Sequence, residues 1–359
     1  MSDLHRPHVT VIAERLSAQL LSGSPARDPV SVARRLLAIQ GQDQRGARLA
    51  IRVRSTGLSA ADVDRALTEE RSLLITWLNR GTLHLVRSED YPWLQTLTTP
   101  PLLRGNMRRL LGHGLTAAQA ERAVEVITSA LANEGPLTRV TLGERLRGAG
   151  ISTAGQVLVE LLMLACLRGL TVRGPMIGKE HAYALVHDWL GESRPVNRNQ
   201  ALAELARRYL AGHGPADERD LAKWTGLPLG DVRAGLGAIA SELAQRQDGL
   251  LQLAAMPAAD KLPPPRLLGA FDPLLLGHRS RDQILAGHHS SIITTNGIFR
   301  PFALVRARAL ATWRMPAGKV IIEGLSELSR PVRAALELEA QEVIDFLGAA
   351  KTSQPGPDQ

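Results

Sequence analysis

At 359 residues and 38.8 kDa, the chain is longer than one hydrophobic core ordinarily fills, so more than one compact unit is expected. With 44% hydrophobic and 22% charged residues it has a soluble globular composition, which excludes a disordered chain; no apolar run reaches the roughly 18 residues of a membrane span. The net charge of +8 and sequence pI near 10.3 point to a polyanionic partner, although an arginine-rich coding bias would raise both equally.

The opening "MSDLHRPHVTVIAERL" lacks the cationic end and apolar core of a signal peptide, so the expected location is the cytoplasm, with the nucleoid. Five lysines leave 38 arginines among the 43 basic residues. Basic residues exceed acidic ones over 1–115, and the balance reverses over 321–359. Cys166, within "VELLMLACLRG", reads as a small core residue and not a nucleophile. A single cysteine excludes an intrachain disulfide or a multi-thiolate zinc site, and no His and carboxylate spacing suits a metal. No phosphate-cradling glycine motif is present either, so no cofactor and no metal are expected.

In chain order, a first helix is expected over about 9–22. "DPVSVARRLLAI" gives a second helix from an aspartate cap. "IQGQDQR" (Ile39 to Arg45) makes a turn, and "RGARLAIRVRST" begins the third helix. "SAADVDRALTEE" opens another helix on a serine cap, and "SLLITWLNRGTLHLV" reads as a hairpin wing about Asn-Arg-Gly. The order helix, helix-turn-helix, hairpin is that of a winged helix.

Two later segments look like copies of one unit. "NEGP" at 133–136 and "GHGP" at 212–215 each end a helix, and a leucine falls six residues after each proline (Leu142 and Leu221). The first copy continues into "LTVRGPMIGKEHAYALV", two extended runs about Gly-Pro, and the second into "DGLLQLAAM". From about 262 the texture changes: a proline run reads as a stiff linker, and strand-like alternation surrounds Asn296-Gly297, the strongest short hairpin signal. A final helix is expected over Pro331 to Leu347, with Val332, Leu336, Val343 and Phe346 on one face. The expected fold is mainly α with β hairpins (α+β). It comprises three tandem winged-helix units over 1–115, 116–193 and 194–261, a β-rich C-terminal domain over 262–350, and a disordered tail over 351–359.

The Gln-x-Gln of "AIQGQDQ", the hairpin "WLNRGTLHLV", and "FDPLLLGHRSRD" followed by "NGIFRPFALVRARALATWR" resemble the winged-helix DNA glycosylases typified by AlkZ and YcaQ. The resemblance spans most of the chain. It implies three winged-helix units and a β-rich part that bind duplex DNA, and release of N7-alkylated purines, with unhooking of interstrand crosslinks in some members. By motif, it assigns the chemistry to Gln40 and Gln42, where the chain carries Gly41 between the glutamines in place of the usual aliphatic residue. Two amides can suffice, because an N7-alkylated purine is cationic and already a good leaving group; what remains is to orient water and stabilise the oxocarbenium-like sugar. Glutamine takes no proton at neutral pH, so uracil and normal bases should be refused. The first 178 residues contain no lysine to form a Schiff base, so a monofunctional hydrolase is expected.

Gln40 and Gln42 could instead satisfy turn backbone or touch phosphate, and Asp43 could activate the water or cap the next helix. Arg45, Arg48, Arg52 and Arg54 suit flanking phosphates, or form a solvated helix face. Arg80 could enter the minor groove; His84 could meet the lesion strand or lie in the core. His278, Arg279 and Arg281 could approach DNA from the C-terminal part, or be surface charge. The adjacent pair His288 and His289 points to opposite faces if extended and makes no metal site. Only 3% of residues are aromatic, which leaves few stacking platforms for single strands and favours duplex DNA as the partner of a monomer. The rival readings are a winged-helix transcriptional regulator, which would read one sequence as a dimer, and a protein binding DNA by charge alone.

Overall fold

The computed structural model describes residues 6–192, 195–256, 259 and 261–348, with residues 6–10 as backbone only. The expected disordered tail at 351–359 lies outside the described residues. Helices dominate, and the strands form small antiparallel sheets, as the α+β reading expects.

Helix α1 (Arg6–Ala18) starts and stops earlier than the 9–22 expected. Helix α2 (Pro29–Leu36) begins where it should: Asp28 caps it by accepting from the Ser31 N–H at 2.7 Å, and Pro29 supplies a locked φ at the first position. Leu37 ends it at φ 65°, a left-handed conformation held by a fully buried side chain. The chain then runs extended through β1 (Ile39–Gln40) into α3 (Gln44–Arg52), which Asp43 caps by accepting from the Gly46 N–H. Ser59, the expected serine cap, immediately precedes α4 (Ala60–Thr68). The Ser59 N–H and hydroxyl both donate to Asp62, at 2.7 and 2.8 Å.

Strands β2 (Leu73–Leu78) and β3 (Thr82–Arg87) form the expected antiparallel hairpin, closing at Leu78 opposite Thr82. Asn79, Arg80 and Gly81 turn it with φ of 22, 37 and 79°, so the hairpin needs residues that tolerate the left-handed region. Helices α5 (Tyr91–Thr98) and α6 (Pro100–Gly112) follow, then α7 (Ala117–Glu134), which a reciprocal Thr116 and Gln119 capping box opens. Next come α8 (Arg139–Gly148), α9 (Val157–Leu167), β4 (Thr171–Ile177), β5 (Glu180–Leu185) and α10 (Val186–Leu190). After them stand α11 (Arg198–His213), α12 (Glu218–Thr225), α13 (Leu229–Ala238), β6 (Leu243–Gln245) and β7 (Leu251–Leu253).

The two Gly-Pro segments match in more than spacing. The residue after each proline pairs antiparallel with the second strand of its own hairpin, Leu137 with Tyr183 and Ala216 with Leu251, and Leu142 and Leu221 are both buried. Gly174-Pro175 is not the turn between β4 and β5; it lies inside β4 at a register irregularity between Arg173 and Met176, and the chain turns at Gly178 and Lys179. A Cβ on Gly174 would stand 2.7 Å from Trp189, so that glycine serves a close packing contact.

In the C-terminal part, β8 (Arg266–Leu268) precedes the short helices α14 (Pro273–Leu276), α15 (Asp282–Leu285) and α16 (His289–Ile292). Strands β9 (Phe302–Val305), β10 (Arg308–Arg314) and β11 (Ile321–Gly324) complete a sheet of order β11-β10-β9-β8, and α17 (Arg330–Leu347) ends the described chain. Asn296-Gly297 does not carry the main hairpin. It closes only a tight loop with one bridge, Ile293 to Phe299, while the true hairpin joins β9 to β10 through Arg306 and Ala307 at φ 48 and 63°. His288 and His289 lie at the start of a helical turn, not in a strand.

The chain divides into two compact units. One comprises residues 1–63, 207–224 and 239–359, and the other residues 64–206 and 225–238. Core residues of the first include Leu16, Leu268, Leu275, Phe302 and Leu304. In the second, Ile127, Leu131, Leu142, Leu161 and Cys166 pack together, and Cys166 is the buried core residue expected, its thiol pushed up to about 11 by desolvation. Among the described residues, no helix is long and apolar enough to cross a membrane.

Candidate active site

Gln40 and Gln42 come together. The Gln40 Nε2 donates to the Gln42 Oε1; Gln40 is 6% exposed and Gln42 is open to solvent. Gln40 is thus anchored in the fold and presents a partner that solvent can reach. The Gln40 Oε1 and the Gln42 Nε2 are left over from this bond, one acceptor beside one NH₂ group, the complement needed to hold a water molecule at two points. The Asp43 Oδ1 is the cap of α3.

Helix α3 distributes its arginines by depth. Arg45 is exposed on the first turn, three residues past Gln42. Arg48 is 8% exposed, and its Nη1 donates to the Gln44 carbonyl at 3.0 Å. Arg52, expected on phosphate, instead grips two glutamates of α17: Nη1 and Nη2 reach Glu339 at 2.9 and 3.2 Å, and Nη2 reaches Glu342 at 2.9 Å. Glu339 also takes the Arg266 Nη1 at 2.8 Å and the Leu267 N–H at 3.0 Å, and the hydrogen bond and charge of Arg52 hold its carboxyl below the usual range despite burial. Arg54 is wholly buried, forked on Asp272 at 2.7 and 2.9 Å. Both placements have one reason: every residue from 46 to 54 is buried, so Arg52 and Arg54 find carboxylates inside.

A polar chain continues from Arg54. Its Nη2 donates to the Gln19 Oε1 at 2.9 Å, and the Gln19 Nε2 lies 3.3 Å from the His213 Nδ1. The His213 Nε2–H donates to the Leu36 carbonyl at 3.2 Å, and burial pushes the imidazole down to about 4. His278, expected to approach DNA, is 5% exposed, donates to the His213 carbonyl at 2.8 Å and is held neutral by desolvation. Arg279 stays half-exposed but is tied to Asp217 at 2.8 Å and Asp220 at 3.4 Å. The Arg281 Nε donates to the Leu275 carbonyl, and its guanidinium lies 5.3 Å from the Phe299 ring centroid.

In the other unit, Arg80 sits part-exposed in the left-handed turn of the β2–β3 hairpin. His84 is a core histidine: it is 2% exposed, its Nδ1–H donates to the Thr82 carbonyl at 2.9 Å, and burial pushes it down to about 3. Sequence reasoning missed the role of Asp272, Gln19 and His213. Asp272 lay in view within "FDPLLLG" as an Asp-Pro helix start, and its Oδ1 does accept from the Leu274 N–H at 2.9 Å. Nothing in the sequence singles out Gln19. Among the described residues, no group of three or more His, Cys, Asp or Glu side chains gathers as a metal site.

This arrangement has relatives. An interstrand DNA cross-link repair glycosylase of Streptomyces sahachiroi is 26% identical over 369 residues, covering 95% of this chain and 96% of that protein. The fold matches the solved structure of Streptomyces sahachiroi DNA glycosylase AlkZ with a TM-score of 0.76 at 23% identity, over 95% of this chain and 96% of that one. The family description "DNA glycosylase AlkZ-like" matches residues 33–346, most of the chain and both glutamines, so the chain belongs to the AlkZ-like DNA glycosylase family.

Proposed function

We propose that the protein is a monofunctional DNA glycosylase that hydrolyses the N-glycosidic bond of cationic N7-alkylated purines in duplex DNA, acting as a cytoplasmic monomer on the nucleoid. Gln40 and Gln42 orient the attacking water. The observation that carries this reading is the hydrogen bond between the two side chains, which joins a buried glutamine to an exposed one and leaves an acceptor and a donor pair to spare.

In the reaction, the bond from C1′ to N9 breaks and its electron pair returns to the purine, neutralising the cationic ring. A bond forms from the water oxygen to C1′, and the water proton passes to solvent. The amides accept no proton, so their contribution is orientation and charge stabilisation of the sugar. Arg45 is the α3 arginine best placed to meet a flanking phosphate. Arg80 on the hairpin turn is proposed to contact the duplex; Arg48, Arg279 and Arg281 are proposed as secondary contacts.

An exposed Gln42 also suits a lesion too bulky to be extruded into a pocket, and the relative named for cross-link repair makes interstrand crosslinks a proposed substrate. The matched pairings after Gly135-Pro136 and Gly214-Pro215 support an organisation of three winged-helix units, 1–115, 116–193 and 194–261, followed by a C-terminal domain over 262–350. The test is free-base release from duplex DNA carrying N7-methylguanine, beside duplexes carrying uracil or only normal bases. Release from the first alone is expected. Release of uracil at a comparable rate, or none from methylated or crosslinked duplexes, would overturn the proposal.

A further inference from the structure

We propose that the buried chain Asp272, Arg54, Gln19 and His213 holds the amide pair in working geometry, so that Asp272, Gln19 and His213 are positioning residues of the reaction. The proposal rests on the reading of Gln40 and Gln42 as the water-orienting pair. Those glutamines lie in the short connector between Leu36, the last residue of α2, and Gln44, the first of α3. A connector this short takes its shape from the two helices that flank it, and both are gripped by the same network.

On the α2 side, His213 donates to the Leu36 carbonyl at 3.2 Å. On the α3 side, Arg54 follows the helix end, donates back to the Ala50 carbonyl at 3.0 Å and forks on Asp272 at 2.7 and 2.9 Å. Gln19 closes the link between them, accepting from Arg54 at 2.9 Å and standing 3.3 Å from His213. The donor and acceptor roles between Arg54, Gln19 and His213 are fixed. Arg54 can only donate, so the Gln19 oxygen must face it and the Gln19 NH₂ must face His213; the Nδ1 then accepts and the Nε2 carries the hydrogen.

Arg54, Gln19 and His213 are 0% exposed and Asp272 is 1% exposed. Stability alone gives little reason for such burial, because a buried ion pair gains little over apolar side chains of the same volume; a fixed geometry is what it can supply. Steric contacts reinforce the same frame. A Cβ on Gly46 would stand 2.4 Å from the Ala270 carbonyl, and one on Gly277 would stand 2.7 Å from the His213 Nδ1. The loop before Asp272 therefore abuts the first turn of α3, just past the glutamines.

Gln19→Leu tests the link, because leucine fills the site but neither accepts from Arg54 nor donates to His213. The measurements are single-turnover release of N7-methylguanine with enzyme in excess, duplex Kd, and thermal midpoint, beside wild type and Gln42→Ala. A rate constant lowered about ten-fold or more at unchanged Kd is expected, since small misplacements of reacting groups carry losses of that order. If Gln19→Leu does not fold, Gln19→Met, which removes the same bonds with an unbranched chain, takes its place. A wild-type rate constant in the folded variant, or a rate and Kd that shift together, would overturn the proposal while Gln42→Ala still abolishes release. If Gln42→Ala releases base as wild type does, the reading beneath falls first and this one falls with it.

Discussion

Gly46 and the arginines around it separate positions that hold the fold from positions that meet the ligand. Placing a methyl group on Gly46 requires the Ala270 carbonyl to move, since the new atom would approach it to 2.4 Å. Gly46→Ala is expected to lose about 1–3 kcal/mol of stability, read as a lowered denaturant midpoint at unchanged slope. Arg45 and Arg52 lie on the same helix but answer to different measurements. Arg52→Ala leaves Glu339 buried without two of its hydrogen bonds and should cost on the order of 3 kcal/mol in stability. Arg45→Ala should leave the thermal midpoint in place and reduce the salt dependence of duplex binding by about one phosphate contact. If the two effects were exchanged, the assignment by depth would be wrong.

Among the elements, the hairpins show what sequence patterns carry and what they leave out. The β2–β3 hairpin was legible because Asn-Arg-Gly separates two apolar, partly β-branched runs, and the structure turns there with all three residues at positive φ. The β9–β10 hairpin was not, because Arg306 and Ala307 carry no turn signature, yet both adopt left-handed φ between the buried end of β9 and the exposed first residue of β10. Burial of β9 on both faces fixes the register, and the turn residues conform to it. Replacing Arg306-Ala307 with Asn-Gly should therefore raise stability by about 1 kcal/mol, measured by equilibrium unfolding. An unchanged or lowered stability would place the origin of that conformation elsewhere. Helix α17 illustrates a related limit: its apolar stripe at Leu336, Val343 and Phe346 was readable, but Glu339 completes the buried face, and only the arginines it meets explain why.

At the scale of the molecule, several buried histidines set its response to acid. His84 and His213 are held neutral in the fold, down to about 3 and about 4, whereas in the unfolded chain they take up protons near their ordinary value of 6.5. Between those limits the unfolded state binds more protons, so stability is full above about pH 6.5 and falls as pH drops through 6 and 5 toward 4. Glu339 acts in the same direction below the carboxylate range. Together they should cost a few kcal/mol or more, on the order set by about 1.4 kcal/mol per pH unit for each group. Denaturant midpoints from pH 7 to 4 check this; replacing His213 with a side chain that does not titrate should flatten the curve if that fold persists.

The α+β class, the helix and hairpin order and the Gln-x-Gln turn were legible because each is local: caps, Gly-Pro breaks and alternation act over a few residues. The division of arginines into buried and exposed was not legible, since Arg52 and Arg54 meet Glu339 and Asp272, partners more than two hundred residues away. Gln19 and His213 escaped for the same reason, as each is an ordinary polar residue until the fold brings them together. The central claim is that two side-chain amides orient the water. It is tested most directly by single-turnover release of N7-methylguanine from duplex DNA by wild type, Gln40→Ala and Gln42→Ala. Loss of release in both variants with duplex binding retained is the predicted result; release by either variant at the wild-type rate would contradict it.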